Sequence, residues 1–175
     1  MKETLILVDD KDNPIGFASR EECHQGNGKR HRAFVVFLFD DEGRVLLQFR
    51  SKDKLGGQRW DVTATSHVRK DETYDTAAER CLKHELGISV PLQKSGSFTY
   101  TEAYEEYSEN EYCAVLIGKF NGKVIPNKEE MDRVNYSALD EIKKDVAENP
   151  EAYTKWFRGA FPIFCDFIKK SGYTR

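Results

Sequence analysis

The feature that most constrains the fold is a continuous apolar run at residues 32–39, rich in β-branched and aromatic side chains. Such a run predicts a strand that is buried on both faces. Asp41-Glu42-Gly43 then turns the chain back into a second apolar run at residues 45–50, so the two segments predict a β-hairpin. The longest uninterrupted apolar stretch has seven residues, whereas a bilayer-spanning helix needs about 20. We therefore expect no association with a membrane through such a helix.

The remaining pattern alternates short strands with a few helices. Ser19 and Glu22 form a capping box that predicts a helix ending near residue 26, and Gly87 is a ready C-cap for a helix predicted over residues 73–86. Pro162 predicts a kink inside the last helix. This order predicts an α+β fold, or an α/β/α sandwich on a mixed sheet, in a single domain spanning residues 1–175. Further strands are predicted at residues 4–8, 60–65, 97–104, 112–120 and 134–136, and further helices at residues 139–147 and 150–170.

The net charge and the cysteines indicate which classes of partner and which cellular compartment to expect. The net charge of −3 at pH 7 gives the protein no overall positive field that would attract a nucleic acid polymer or an acidic membrane. The four cysteines contain no CxxC pair, which predicts free thiols in a reducing compartment. Acidic residues follow the N-terminus too soon for a signal peptide. We therefore expect a cytoplasmic protein with a small-molecule substrate.

Three histidines and two glutamates form the first candidate site. His24 and His31 flank a glycine-rich turn, His67 ends a predicted strand, and Glu109 and Glu111 share one face of another strand. Three imidazoles and two carboxylates suit an octahedral ion with one open position, which favours Mn²⁺ or Mg²⁺ over structural zinc. On spacing alone, hydrogen-bonded structural histidines remain the alternative.

A second candidate site lies on the predicted helix at residues 73–86. Its pattern resembles the Nudix box, G-x5-E-x7-R-E-U-x-E-E-x-G-U, in which helix glutamates hold Mg²⁺ against a diphosphate. Ser66 replaces the first glycine, and Cys81 and His84 replace two glutamates. A merely charged helix face is the alternative interpretation. The matching residues are Glu72, Arg80, Glu85 and Gly87.

Cations and aromatic rings complete the candidate set. Arg20, Arg50 and Lys54 could clamp phosphate oxygens, whereas Lys52 is interpreted as solvated surface. Tyr100 and Trp156 either pack in the core or line an apolar pocket whose π face stabilises a carbocation.

Taken together, these residues resemble the type 1 isopentenyl diphosphate isomerase branch of the Nudix superfamily, from about residue 5 to residue 168. The His24 and His31 spacing is similar to that of the family's first two metal histidines. Residues 60–67 resemble its W-T-N-x-x-C-[GS]-H segment, residues 80–87 its degenerate Nudix helix, and Glu109-Asn110-Glu111 its E-x-E strand. The segment around Trp156 resembles a late tryptophan motif. The resemblance implies the Nudix α/β/α sandwich with a mixed β-sheet.

The resemblance also implies a role for each residue. His24, His31, His67, Glu109 and Glu111 would bind a divalent ion, Mg²⁺ or Mn²⁺ with Zn²⁺ as an alternative, and Glu85 would help a second Mg²⁺ engage the diphosphate. Arg50 and Lys54 would contact the diphosphate, and Arg20 would stand where the family has Lys. Glu111 and Tyr100 would move protons, and Trp156 would face the carbocation.

Thr65 is the main departure from the family, which carries a catalytic cysteine at this position. Val68 replaces the family's following proline, and Cys81 takes the place of a helix arginine. An aliphatic hydroxyl is a far weaker acid than a thiol, so Thr65 would act by holding a water while isomerisation slows. Cys81 is expected on the apolar stripe of its helix and therefore cannot replace the missing thiol.

Three functions follow from this sequence. The first is interconversion of isopentenyl and dimethylallyl diphosphate. The second is hydrolysis of a nucleoside or prenyl diphosphate, with Glu129 or Glu130 supplying a carboxylate that the helix lacks. The third is binding of a diphosphate without turnover. In each case the chain is expected to be a monomer or a homodimer.

Overall fold

The computed structural model describes residues 3–104 and 107–172. Within this part of the chain, nine strands form one mixed sheet that four helices accompany. The strands are β1 Thr4–Val8, β2 Pro14–Ser19, β3 His31–Phe39, β4 Arg44–Arg50, β5 Trp60–Asp61, β6 Ala64–His67, β7 Gln93–Tyr104, β8 Tyr107–Lys119 and β9 Met131–Ala138. The helices are α1 Arg20–Cys23, α2 Tyr74–Leu86, α3 Leu139–Glu148 and α4 Lys155–Ser171, and a single 3-10 turn, Pro150–Ala152, precedes α4.

Strand β3 lies at the centre of the sheet. It pairs with β8 in parallel and with β1, β4 and β6 in antiparallel fashion. Its side chains alternate between two cores: Ala33, Val35 and Phe37 pack under α4, whereas Phe34 and Val36 pack under α2. This arrangement confirms the predicted sandwich, and it explains why the run at residues 32–39 is apolar on both faces.

Several element boundaries differ from the predictions. Strand β2 was not predicted because it is an edge strand whose Ile15 and Phe17 side chains are exposed, so it lacks the burial pattern of a core strand. The predicted strand at residues 60–65 divides into β5 and β6. Helix α1 ends at Cys23, earlier than predicted, and β9 is longer than predicted because it pairs with β4 along its length.

The predicted helix at residues 150–170 is divided as well. Tyr153 forms a bridge to Trp60, and the backbone N–H of Thr154 donates to the carbonyl of Trp60 at 3.0 Å. The Thr154 hydroxyl then accepts from the N–H of Phe157 at 3.3 Å, so α4 begins only at Lys155. Pro162 lies inside α4, and the kink there stays a prediction. No helix among the described residues is long and apolar enough to cross a bilayer.

Candidate active site and metal centre

The predicted metal ligands meet at one end of the sheet face that α4 covers. His31 lies opposite Glu111 in the β3–β8 pairing, and His67 lies opposite Ala33 in the β3–β6 pairing. Since alternate residues of a strand share a face, these side chains converge. The five ligand atoms, which all lie within 4.8 Å of one another, belong to His24, His31, His67, Glu109 and Glu111.

Backbone carbonyls orient two of the imidazoles in the cluster. Nδ1 of His24 lies 2.6 Å from the carbonyl oxygen of Arg20, and Nδ1 of His31 lies 2.8 Å from that of Lys29. With the proton on Nδ1, each Nε2 keeps its lone pair and points into the cluster. Burial lowers the pKa of His31 to about 3 and that of His67 to about 4, so both rings are neutral at pH 7.

Three atoms of this cluster are buried without a hydrogen-bond partner in the described residues: Nε2 of His24, Nε2 of His31 and Oε2 of Glu109. Nε2 of His24 lies only 3.2 Å from Oε2 of Glu109, yet no well-directed hydrogen bond joins them. Buried polar atoms are normally satisfied. A divalent cation would satisfy all three atoms at once, so the residues fit such an ion.

Glu111 connects the cluster to the candidate proton-transfer residues. Its Oε1 lies 3.0 Å from Nε2 of His67, and it lies opposite Tyr100 in the β7–β8 pairing. Burial raises the pKa of Glu111 to about 7, although hydrogen bonds from its surroundings, including Tyr100, lower it. Tyr100 is half-buried and lines the same cavity.

Thr65 lines this cavity two residues before His67, on the same face of β6. Its hydroxyl donates to the backbone carbonyl of Phe34 at 2.9 Å. The hydroxyl proton is therefore already engaged by strand β3. The oxygen can still accept a hydrogen bond from a water or a ligand.

The predicted cations line the same cavity, which has a volume of about 250 Å³. Arg50 is buried and donates to Oδ2 of Asp61 at 2.9 Å. Lys54 pairs with Glu130, and Arg20 at the rim pairs with Glu3 at 3.4 Å. Trp156 lines the cavity too, and the guanidinium of Arg50 lies 5.1 Å from its ring centroid.

Glu72 and Arg80 of the Nudix box form a brace. Arg80 donates to both carboxylate oxygens of Glu72, at 2.5 and 2.9 Å, and to the backbone carbonyl of His67 at 3.0 Å. The bidentate pair with Glu72 holds the guanidinium in place, and the bond to the His67 carbonyl ties α2 to β6, the strand that carries the third histidine of the cluster.

Because the Arg80 brace is half-buried, we expect Arg80→Met to lower the free energy of unfolding by about 2–4 kcal/mol. The matched control is Lys83→Met on the same helix. Lys83 pairs with Glu79 at 2.7 Å on the surface, and exposed pairs contribute about 1 kcal/mol or less. Urea denaturation of both variants checks this expectation, and equal losses would contradict the brace.

Glu85, the third box residue, lies outside the five-residue cluster but lines the same cavity. It accepts from Gln48 at 3.2 Å and from the thiol of Cys81 at 3.2 Å. Burial raises the pKa of Glu85 to about 7. Glu130 contributes a Coulombic interaction to Glu85 and also lines the cavity, whereas Glu129 is exposed and does not.

Cys81 lies in the apolar cluster under α2, as predicted, and it also lines the cavity. Its sulfur lies 3.7 Å from the carbonyl oxygen of Thr65. Burial raises the pKa of this thiol well above its usual range. The thiol therefore stays protonated, with Glu85 accepting its hydrogen bond.

Sequence reasoning missed four residues of this site: Glu3, Asp61, Arg69 and Tyr107. Asp61 is fully buried beside Arg50 and Trp156. The sequence signal that could have identified Asp61 is a single carboxylate in the otherwise uncharged strand predicted at residues 60–65. Tyr107 stacks on the His24 ring with 4.5 Å between centroids, and Arg69 donates to Glu3 at 2.7 Å at the rim. Nothing in the local sequence marks these two contacts.

Comparison with known proteins identifies the family. Residues 29–157 match the NUDIX domain model. An Aromatoleum aromaticum protein named isopentenyl-diphosphate Delta-isomerase 2 is 37% identical over 176 residues, covering 98% of this chain and 93% of its own. The isopentenyl-diphosphate Delta-isomerase of Serratia proteamaculans is 38% identical over 159 residues, covering 90% and 88%.

Solved structures agree on the fold. A Deinococcus radiodurans protein superposes with a TM-score of 0.68 at 20% identity, covering 84% of this chain and 90% of its own. A MutT protein from Methanosarcina mazei gives 0.66 at 20% identity, covering 80% and 96%. At such low identity these two structures are evidence for the fold alone. From the matched domain and the relatives together, the chain is an enzyme of the Nudix family and belongs to its isopentenyl-diphosphate isomerase-like branch.

Proposed function

We propose that this chain interconverts isopentenyl and dimethylallyl diphosphate with the help of a divalent ion. The observation that carries the proposal is the five-residue cluster of nitrogen and oxygen atoms, three of which lack a hydrogen-bond partner among the described residues. His67, Glu109 and Glu111 of this cluster line one cavity with Tyr100 and Trp156. A Nudix hydrolase of the ordinary kind holds its ions on helix glutamates and has no use for such a cluster. The relatives named as isomerases support the same reaction.

The cations would hold the diphosphate end of the substrate. Arg50 and Lys54 line the cavity beside Trp156, with Arg20 at the rim. The guanidinium of Arg50 can donate to phosphate oxygens from a fixed orientation, because Asp61 and the Leu55 carbonyl both accept from it. The ammonium group of Lys54, which is paired with Glu130, would supply a point charge to the diphosphate.

The reaction adds a proton at one end of the double bond and removes one from a neighbouring carbon. Glu111 and Tyr100 are the proton-transfer residues, since they adjoin each other in the cavity and Glu111 is held by His67. Trp156 would place its π face toward the positive charge that develops between the two steps.

When bound at His24, His31, His67, Glu109 and Glu111, an Mg²⁺ or Mn²⁺ ion, or Zn²⁺ as the alternative, supplies positive charge that neutralises the buried carboxylates.

Thr65 limits the rate in this proposal. Its proton is engaged by the Phe34 carbonyl, so its oxygen would hold a water rather than act as the acid. Loss of one positioned acid or base costs about 10²–10⁴-fold in rate. We therefore expect slow isomerisation by the natural sequence.

Hydrolysis of a nucleoside or prenyl diphosphate is the second candidate. It is favoured by the buried Glu85 carboxylate, which lies in the same cavity as Glu130 and would help a second Mg²⁺ engage the diphosphate. If this reaction occurs, Glu85→Gln lowers phosphate release by about 10²-fold or more while the fold is kept. Glu79→Gln, an exposed glutamate on the same helix, is the control. Undiminished release by the Glu85→Gln variant would remove this candidate.

One reaction separates the three functions. Purified protein is mixed with Mg²⁺, Mn²⁺ and isopentenyl diphosphate and followed by ¹H and ³¹P NMR. Formation of dimethylallyl diphosphate supports isomerisation, and release of monophosphate or inorganic phosphate supports hydrolysis. Broadening of the ligand lines without either product supports a binding protein and contradicts both reactions for this substrate.

The free thiols support a reducing compartment for this function. All four cysteines are free, and Cys23, Cys81 and Cys113 are buried, which suits a reducing compartment such as the cytoplasm. The substrate is a small diphosphate, and the protein works as a monomer or a homodimer.

A further inference from the structure

Asp61 is a fully buried carboxylate with no part in the proton-transfer or metal-binding steps above. It lies in β5, and β5 is joined by backbone contacts to the segment that leads into α4. Both of its oxygens are saturated by short hydrogen bonds, two to each atom. Oδ1 accepts from the backbone N–H of Val62 at 2.8 Å and the hydroxyl of Thr154 at 2.8 Å, and Oδ2 accepts from Nη1 of Arg50 at 2.9 Å and Nε1 of Trp156 at 2.9 Å.

The contact with Arg50 fixes the orientation of a cation. Nε of Arg50 donates to the carbonyl of Leu55 at 2.9 Å, and Nη1 donates to Asp61. A planar guanidinium held at two of its nitrogens cannot rotate. Its remaining N–H groups belong to a residue that lines the cavity, so Asp61 determines which edge of Arg50 a ligand meets.

The contact with Trp156 fixes the orientation of an aromatic ring. The indole is 5% exposed and donates its only N–H to Asp61. On another side, Gly56 lies so close that an added Cβ would be 2.9 Å from Cη2 of the indole. Donation to an anion also polarises the indole and increases the electron density of its π face.

Resting on the function proposed above, we propose that Asp61 is a positioning residue that joins Arg50 and Trp156 into one rigid unit. One carboxylate oxygen accepts from the group that would meet the diphosphate and from the ring that would face the carbocation. The two ends of the substrate site are therefore coupled. A ligand that draws Arg50 toward its phosphates changes the hydrogen bond that Asp61 shares with the indole.

The test uses Trp156 as a reporter and inorganic diphosphate with Mg²⁺ as the probe. The chain has two tryptophans, so Trp60→Phe leaves Trp156 as the only one. In that background, Asp61→Asn is expected to weaken diphosphate binding by at least roughly tenfold, because Arg50 loses a charged hydrogen-bond partner. It is also expected to shift the emission maximum of Trp156. A folded Asp61→Asn variant with the parent's affinity and emission would overturn the proposal.

The control is Thr154→Val, which removes a donor from the other oxygen of Asp61. It is expected to change diphosphate affinity by less than about threefold while lowering thermal stability. A structural role alone would make the two variants alike, and that result contradicts the proposal.

A second measurement does not require Asp61→Asn to fold. In the Trp60→Phe protein, the single indole N–H resonance should move when diphosphate is added, and a resonance that stays fixed at saturation contradicts the coupling. Neither readout depends on turnover. A failure of isomerisation in the NMR assay above is therefore distinguishable from a failure of this proposal.

Discussion

Replacing Thr65 by cysteine is expected to raise the isomerisation rate by about 10²–10⁴-fold, the usual contribution of one positioned acid or base. Thr65 lies on the same face of β6 as His67 and lines the cavity. A thiol has a pKa of about 8.5 and is a weak hydrogen-bond donor, so it would be released from the Phe34 carbonyl that now holds the hydroxyl. The measurement is formation of dimethylallyl diphosphate by ¹H NMR.

Ser66→Cys is the matched control for this gain. Ser66 lies opposite Phe34 in the β3–β6 pairing, and Phe34 packs on the α2 side of the sheet. Ser66 also lines the cavity, but its side chain leaves β6 on the face opposite to those of Thr65 and His67. A thiol there is not presented beside Glu111, and no gain is expected. A folded Thr65→Cys variant without a gain would contradict the proposed isomerisation site and favour hydrolysis or binding.

Binding of Mn²⁺ or Mg²⁺ is expected to raise the melting temperature by about 5–10 °C when the ion is present at a hundredfold excess over its Kd. The physical reason is the three buried atoms of His24, His31 and Glu109 that lack hydrogen-bond partners in the described residues. A cation satisfies them only in the folded chain, because the ligands come from α1's end, β3 and β8. Thermal unfolding with and without a chelator measures the shift.

His31→Gln is expected to abolish most of that shift, because it removes the most buried of the ligands. Glu79→Gln on the exposed face of α2 should keep it, since Glu79 pairs with Lys83 and Ser89 and not with the cluster. The comparison uses the ion-induced change and not the starting melting temperature, so a general loss of stability does not confuse it. A shift that survives His31→Gln would place the ion elsewhere.

The core elements were predictable because their signals are local. The apolar run of β3, its hairpin with β4, and the capped helix α2 with Gly87 all have patterns that can be seen without the fold. The edge strand β2 and the start of α4 were less predictable. β2 forms because it pairs with β1, and the start of α4 depends on the hydrogen bond from the N–H of Thr154 to the Trp60 carbonyl.

Recognition of the ligand set depended on residue type as well as spacing. Histidines are few in this chain, and three of the four meet in one cluster. Arg50 and Trp156 were singled out by their chemistry, but the carboxylate that joins them was not. Asp61 lies 95 residues before Trp156 in the sequence, and only the fold brings the two side chains together. Cys81 lies on the apolar stripe of α2, as predicted, and it also lines the cavity, because the apolar stripe of a helix and a cavity wall can share a residue.

The sequence by itself determined the family, the layered fold and the types of donor that the site contains. Composition, periodicity and motif spacing are properties of single segments, and they carry that information directly. The tertiary structure alone decided which donors are satisfied and which are left for a ligand. The register between β3, β6 and β8 brings His31, His67 and Glu111 together, and the docking of α4 on β5 gives Asp61 its partners. Hydrogen bonding depends on distances of a few tenths of an ångström, and such distances are set only when all layers pack.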